Sequence, residues 1–323
     1  MCTYTHQANL CLDFQADYEK RNHSTFKLVF TFETSIPGTN ASWQACPVEI
    51  ETVDIATATK PGNGSLIPSI IIHSDNVKQH HWDCLGRAPS INNLCTALKS
   101  FPNSDCIGVL HSKFAQHHLH TLRLPTASRA EKRHSLQELL EAQGTTFHVN
   151  EKCTLALTLA SAVYYLHDTP WLEETWDLND ICILNSSVLS DQTYISREFP
   201  SNPKPTASSQ RIAIIKNRFV FALGVALLEM SYGKPIQSFE IADDLESGRR
   251  TNFTDFLIAQ RLANGLRTRE LPNYATAVQR CVLCNFETSV FSLDDDDFRE
   301  RFYQGVLVPL KKDYEYVIAQ TTT

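Results

Sequence analysis

The run Phe221-Ala222-Leu223-Gly224-Val225-Ala226-Leu227-Leu228-Glu229-Met230 constrains the fold of this chain more than any other segment. It has the length and composition of a helix, and it is apolar nearly all round, as expected for a helix enclosed by protein on every side. The apolar stretch is about a dozen residues, short of the roughly 20 needed to span a bilayer. Gly233 and Pro235 then supply a helix stop. The chain must therefore assemble a large helical body around this segment.

A second apolar helix is expected to start near Asn150 as its cap. Leu155, Leu159, Ala162/Val163 and Leu166 lie on one face, and the helix ends in Tyr165-Leu166-His167. A polar loop, Asp168 to Asp180, leads to the apolar strand-like run Ile181-Cys182-Ile183-Leu184. Ser135 with Glu138 reads as a capping box before another helix that stops near Gly144. Pro272 opens a further helix, and Asp294 to Asp297 precede a last one, which Pro309 should kink.

Before about Leu124 the period is that of strands. Asn9 to Phe14, Thr25 to Phe32, Ser42 to Val53, Ile67 to His73, Cys106 to His111 and Leu119 to Leu124 read as strands. Ile91 to Lys99 alone has helical spacing there, and Lys60 to Ser65 with Gly62-Asn63-Gly64 reads as a turn. The fold class expected is α+β: a strand-rich N-terminal portion, residues 1–130, and a mainly helical one, residues 131–323.

Composition excludes several functions. At 323 residues, 42% apolar and 20% charged, the chain is an ordinary globular protein. A net charge of −7 with no basic stripe argues against a nucleic-acid partner. The opening Met1 to His6 has neither the basic segment nor the apolar core of a secretory signal, and no membrane segment is expected. Ten cysteines without regular spacing then read as reduced core residues in a cytoplasmic protein. Cys281-x-x-Cys284 is a single pair, and His117-His118-x-His120 with His80-His81 fits a polar loop face better than a metal site. No cofactor and no metal is expected.

Two of these segments resemble a protein kinase. Leu155 to Leu184 is similar to the helix, catalytic loop and strand pair of a kinase large lobe, and Phe221 to Ile236 is similar to its buried central helix. The resemblance implies a two-lobed, protein-kinase-like domain with a small strand-rich N-lobe. Counted without gaps from His167, the catalytic-loop triplet falls on Glu173, Glu174 and Thr175, and the metal-binding Asn on Asp180. The metal-binding Asp of a kinase falls near Arg197, the strand lysine on the glutamates of Cys46 to Glu51, and the bracing aspartate on Phe219. No G-x-G-x-x-G is present, so the groups that phosphoryl transfer requires are absent together.

Further phrases narrow the resemblance: Cys2 to Leu10, Ile91-Asn92-Asn93-Leu94-Cys95, Ile107 to Leu110 with His118-x-His120, and Gly305 to Leu310. Together they are similar to a fungal kinase-like domain of unknown function that often follows a helical HeLo-type, prion-inhibition-and-propagation region. The resemblance implies that this sequence begins inside the kinase-like part. The resemblance implies a degenerate pseudokinase that acts by binding a protein partner, in a setting such as heterokaryon incompatibility or stress signalling. Trp171 and Trp176, flanking the degenerate loop, are the candidate partner anchors; packing under their own loop is the competing expectation. The enzyme alternative is an atypical nucleotide-binding protein or phosphotransferase using Asp177, Asp180 or Asp191.

Overall fold

The computed structural model describes residues 6–12, 24–34, 42–54, 88–100, 106–113, 115–121, 134–143, 147–183, 193–199, 214–251 and 253–321. Backbone contacts divide the α+β chain into two units. One comprises residues 1–9, 16–130 and 199–201, the other residues 10–15, 131–198 and 202–323.

The first unit is an antiparallel sheet. Its strands are β1 (His6–Cys11, whose end from Leu10 belongs to the second unit), β2 (Ser24–Thr34), β3 (Ser42–Asp54), β4 (Cys106–His111) and β5 (Ala115–Thr121). Their spatial order is β4-β5-β3-β2-β1. The pairing of β2 with β3 runs from Ser24↔Thr52 to Thr34↔Ser42, and β3 continues onto β5 from Val48↔Thr121 to Asp54↔Ala115. Alternation places Leu28, Val48 and Leu119 on one buried face. The β4–β5 turn is closed by Ser112, whose hydroxyl donates to the Ala115 carbonyl and accepts from the Ala115 amide, both at 3.0 Å.

Gly108 sits at an irregularity in β4 with φ +149°. The Pro89 and Ile91 backbones run alongside, with Val109 donating to the Pro89 carbonyl and Ile91 donating to the Val109 carbonyl. A Cβ on Gly108 would lie 2.5 Å from the Pro89 oxygen, so only glycine fits. This use of Ile91 corrects the expected helix start: α1 is Leu94–Ser100, capped by Asn93, whose Oδ1 accepts from Thr96. Two strand boundaries also move. The first strand is His6–Cys11 rather than Asn9 to Phe14, and the fifth begins at Ala115 because pairing with both neighbours extends it back to the Ser112 turn. The segments Ile67 to His73, Lys60 to Ser65 and His80-His81 lie outside the described residues.

The second unit holds β6 (His134–Ser135), α2 (Leu136–Gln143), α3 (Val149–Leu166), β7 (Ile181–Ile183), β8 (Thr193–Phe199, ending in the first unit), α4 (Arg218–Tyr232), α5 (Thr254–Gly265), α6 (Pro272–Leu283), α7 (Asp296–Phe302) and α8 (Val308–Thr321). Ser135 and Glu138 form the expected reciprocal cap. Asn150 does not cap α3. The cap lies two residues earlier, at His148, where Glu151 accepts from the His148 amide at 2.9 Å.

Helix α4 forms the core, with Val220, Leu223, Leu227 and Leu228 wholly buried. Asn217 caps it by accepting from the Val220 amide at 3.0 Å, and Gly233 ends it in the left-handed conformation. Gly224 lets α6 approach closely: a Cβ there would lie 2.9 Å from Val282 Cγ2 and 3.1 Å from Cys281 Cβ. Asp313 of α8 accepts from the Tyr274 amide and the Asn273 side chain, both at 2.8 Å, satisfying the start of α6 behind its leading Pro272. The expected disturbance at Pro309 takes the form of a π turn over Tyr303–Leu307, in which Val308 donates to the Tyr303 carbonyl. Proline lacks a donor and its ring clashes with the carbonyl four residues back, so the widened turn precedes it.

Candidate functional site

The site is the loop between α3 and β7 together with β8. Thr169 starts the loop, its hydroxyl donating to the Leu166 carbonyl at 2.7 Å. Asp177 organises the far end: its Oδ1 accepts from the Asn179 amide at 2.8 Å, while its own amide donates to Asp180 Oδ2 at 3.2 Å. Strand β7 then pairs with β8 from Ile181↔Ile195 to Ile183↔Thr193, which brings Arg197 back to the loop.

Arg197 joins the two ends of that loop. Its Nη1 donates to Asp180 Oδ1 at 2.9 Å and its Nε donates to the Trp171 carbonyl at 2.8 Å. The Ser196 amide adds a bond to the Asp180 carbonyl at 2.9 Å. The ion pair is largely withdrawn from water, with side-chain exposures of 13% for Arg197 and 25% for Asp180. Burial raises the pKa of the Asp180 carboxyl, and the Arg197 charge opposes that rise. Both Asp180 carboxylate oxygens have hydrogen-bond partners within the chain, Oδ1 in Arg197 and Oδ2 in the Asp177 amide.

The other candidates are placed as follows. Glu173, Glu174 and Thr175 are exposed, and Glu174 lies 3.6 Å from the Arg218 guanidinium. Asp177 is exposed and bound to its own loop. Trp171 is half-buried. Trp176 is 3% exposed, between exposed Thr175 and Asp177, so of its two expected places the buried one holds and the exposed anchor does not. Phe219 meets His167 edge-to-face, with ring centroids 6.4 Å apart. His167 also lies 3.3 Å from Asp294. Asp191 and Gly62-Asn63-Gly64 lie outside the described residues.

The remaining motifs resolve as structure. Cys281 is fully buried against α4, and Cys284 takes the left-handed conformation that ends α6; burial raises both thiol pKa values, that of Cys284 to about 11. Asp295 caps α7 through the Phe298 amide at 3.0 Å, and Asp297 pairs with Arg301 at 2.8 Å. The histidines of Gln116 to His120 lie on strand β5 rather than a loop face, with His118 and His120 buried. Among the described residues no group of three His, Cys, Asp or Glu could hold a metal ion, and no helix is long and apolar enough to cross a membrane.

One network was not foreseen. Lys152 of α3 and Ser231 of α4 both donate to Glu270 Oε1, at 2.5 and 2.6 Å. The partners are up to 118 positions apart, so no local pattern announces it.

The fold and site thus define an α+β protein whose loop and strand pair are closed by an internal ion pair. The profile of a family described as a domain of unknown function (DUF7580) matches residues 1–317, and the chain belongs to that family. No curated protein matches it. Among solved structures it is similar to a chain in a complex of Neurospora crassa PAN2 (WD40-CS1) with PAN3 (pseudokinase and C-term). That likeness has a TM-score of 0.37 and 8% identity, covering 97% of this chain and 64% of that one. The chain therefore spans somewhat under two thirds of the solved chain's length.

Proposed function

We propose that the chain is a degenerate, protein-kinase-like domain that transfers no phosphate and works as a protein-binding module. The observation that carries this reading is the Asp180–Arg197 ion pair. Phosphoryl transfer needs acidic and amide groups that hold divalent cations against the phosphates. At the two positions where the kinase resemblance puts those metal ligands, this chain has a carboxylate and a guanidinium bonded to each other. The guanidinium supplies internally the positive charge that a metal would bring, and its bond to the Trp171 carbonyl keeps the loop closed. Glu173, Glu174 and Thr175 stand exposed where a catalytic triplet would be. Half-buried Trp171, beside that acidic surface, is the aromatic anchor that a protein partner would use.

Thermal unfolding with ATP, with and without Mg2+, tests the reading, because a ligand that binds the native state raises the melting temperature by mass action. No Mg2+-dependent rise at millimolar nucleotide is expected. A rise that requires Mg2+ and is lost in Asp180→Ala would overturn the proposal in favour of an atypical nucleotide-binding protein.

A further inference from the structure

The first unit carries a buried histidine that the site above does not use. His118 of β5 is 2% exposed, and neither ring nitrogen has a hydrogen-bond partner among the described residues. Its neighbour His117 alternates to the other face, where Nδ1 lies 3.0 Å from Thr52 Oγ1. The register sets Glu51 of β3 opposite His118 and Glu49 opposite His120, with Lys27 of β2 opposite Glu49. The His118 and His120 rings stack with centroids 6.4 Å apart, and His120 Nε2 is 4.0 Å from Glu51 Oε2. From β4, Cys106 stands opposite His120, and exposed His111 adds a like charge when protonated.

We propose that His118 makes the first unit acid-sensitive, so that the β3–β5 pairing loosens when this imidazole gains a proton. A neutral imidazole can sit without partners at a modest cost, whereas an imidazolium in the same place needs water or a bonded carboxylate. Among the described residues Glu51 is the acidic group set opposite it, and Glu51 already lies 4.0 Å from His120. Proton uptake then requires β5 to shift or open. Burial holds the His118 pKa below its ordinary value of 6.5, with Glu51 opposing and His111 reinforcing the shift. The sign follows: the unfolded state binds the proton more readily, so stability is complete above pH 6.5 and is lost as pH falls below it.

Hydrogen exchange on the full chain, corrected for the pH dependence of intrinsic exchange, reads this directly. Between pH 7.5 and 5.5, protection of Ala115–Thr121 and of the facing part of Ser42–Asp54 is expected to fall by up to about tenfold, the limit for one proton excluded from the folded state. Protection of Arg218–Tyr232 should stay constant, and His118→Phe should abolish the fall. An equal fall in His118→Phe, or none in the wild type, would overturn the proposal. If the variant does not fold, an imidazole NMR titration of the wild type decides. An apparent pKa for His118 below 6.5 with broadening of β5 amides on protonation supports the switch, and a value at or above 6.5 refutes it.

Discussion

Asp180 and Arg197 meet at 2.9 Å across the loop that joins α3 to β7, and the same guanidinium reaches the Trp171 carbonyl at the loop's other end. One side chain thereby fixes both ends of a ten-residue segment. A lysine could not do this, because its ammonium is a single point whereas the guanidinium offers donors in a planar fork.

Arg197→Ala should therefore destabilise the second unit by about 3 kcal/mol, since it leaves a partly buried carboxylate unpaired and frees the Trp171 carbonyl. Arg197→Lys should recover less than half of that loss. Urea denaturation of the three proteins measures both.

Gly224→Ala tests the core. Its Cβ would stand 2.9 Å from Val282 Cγ2 and 3.0 Å from the Val282 nitrogen, and the backbone atom cannot rotate away. The helices α4 and α6 must separate slightly, and the expected cost is about 1–3 kcal/mol, read as a lower denaturation midpoint.

Glu229 gives the second unit a pH dependence. It is 7% exposed and accepts from the Ile236 amide at 2.8 Å, and burial pushes its pKa from 4.5 to about 7. The folded state holds this proton more tightly than the unfolded one, so the contribution falls as pH rises from about 4.5 to 7 and then levels. Glu229→Gln keeps the acceptor without the charge. It should gain about 2–4 kcal/mol over wild type at pH 8 and nothing at pH 4.5. Denaturation midpoints across that range should show the difference opening inside the window; a difference independent of pH would contradict it.

The two tryptophans separate by burial. Trp176→Ala should cost about 3–5 kcal/mol of stability, as expected for a core aromatic. Trp171→Ala removes a half-buried ring while leaving the carbonyl that holds Arg197, so its stability loss should be much smaller. If Trp171 anchors a partner, that variant should lose about 2 kcal/mol of binding energy in titrations with the partner.

Features set by neighbouring residues were legible from the amino-acid pattern. The Ser135–Glu138 cap, the enclosed helix around Leu223 and Leu227, and the capping role of the acidic run at Asp295 all depend on contacts within a few positions. Features set by a choice between similar local partners, or by tertiary contact, were not. The helix start at His148 rather than Asn150 depends on which residue Glu151 reaches, and both choices have polar side chains. Pro309 announces a disturbance, but its π form depends on how the neighbouring helices hold the turn before it. Alignment of Asp180 and Arg197 to metal-binding positions pointed to lost chemistry. That they bond to each other emerges only when β8 returns beside the loop. Trp171 and Trp176 show the same limit: the sequence offers both anchoring and packing for each, and only the fold separates buried Trp176 from half-buried Trp171.

Transfer of labelled γ-phosphate from ATP with Mg2+, both to the chain itself and to a generic protein substrate, tests the proposed absence of phosphoryl transfer most directly. Incorporation no greater than with a heat-denatured sample is expected. Steady incorporation by the native chain, abolished in Asp180→Ala, would contradict it.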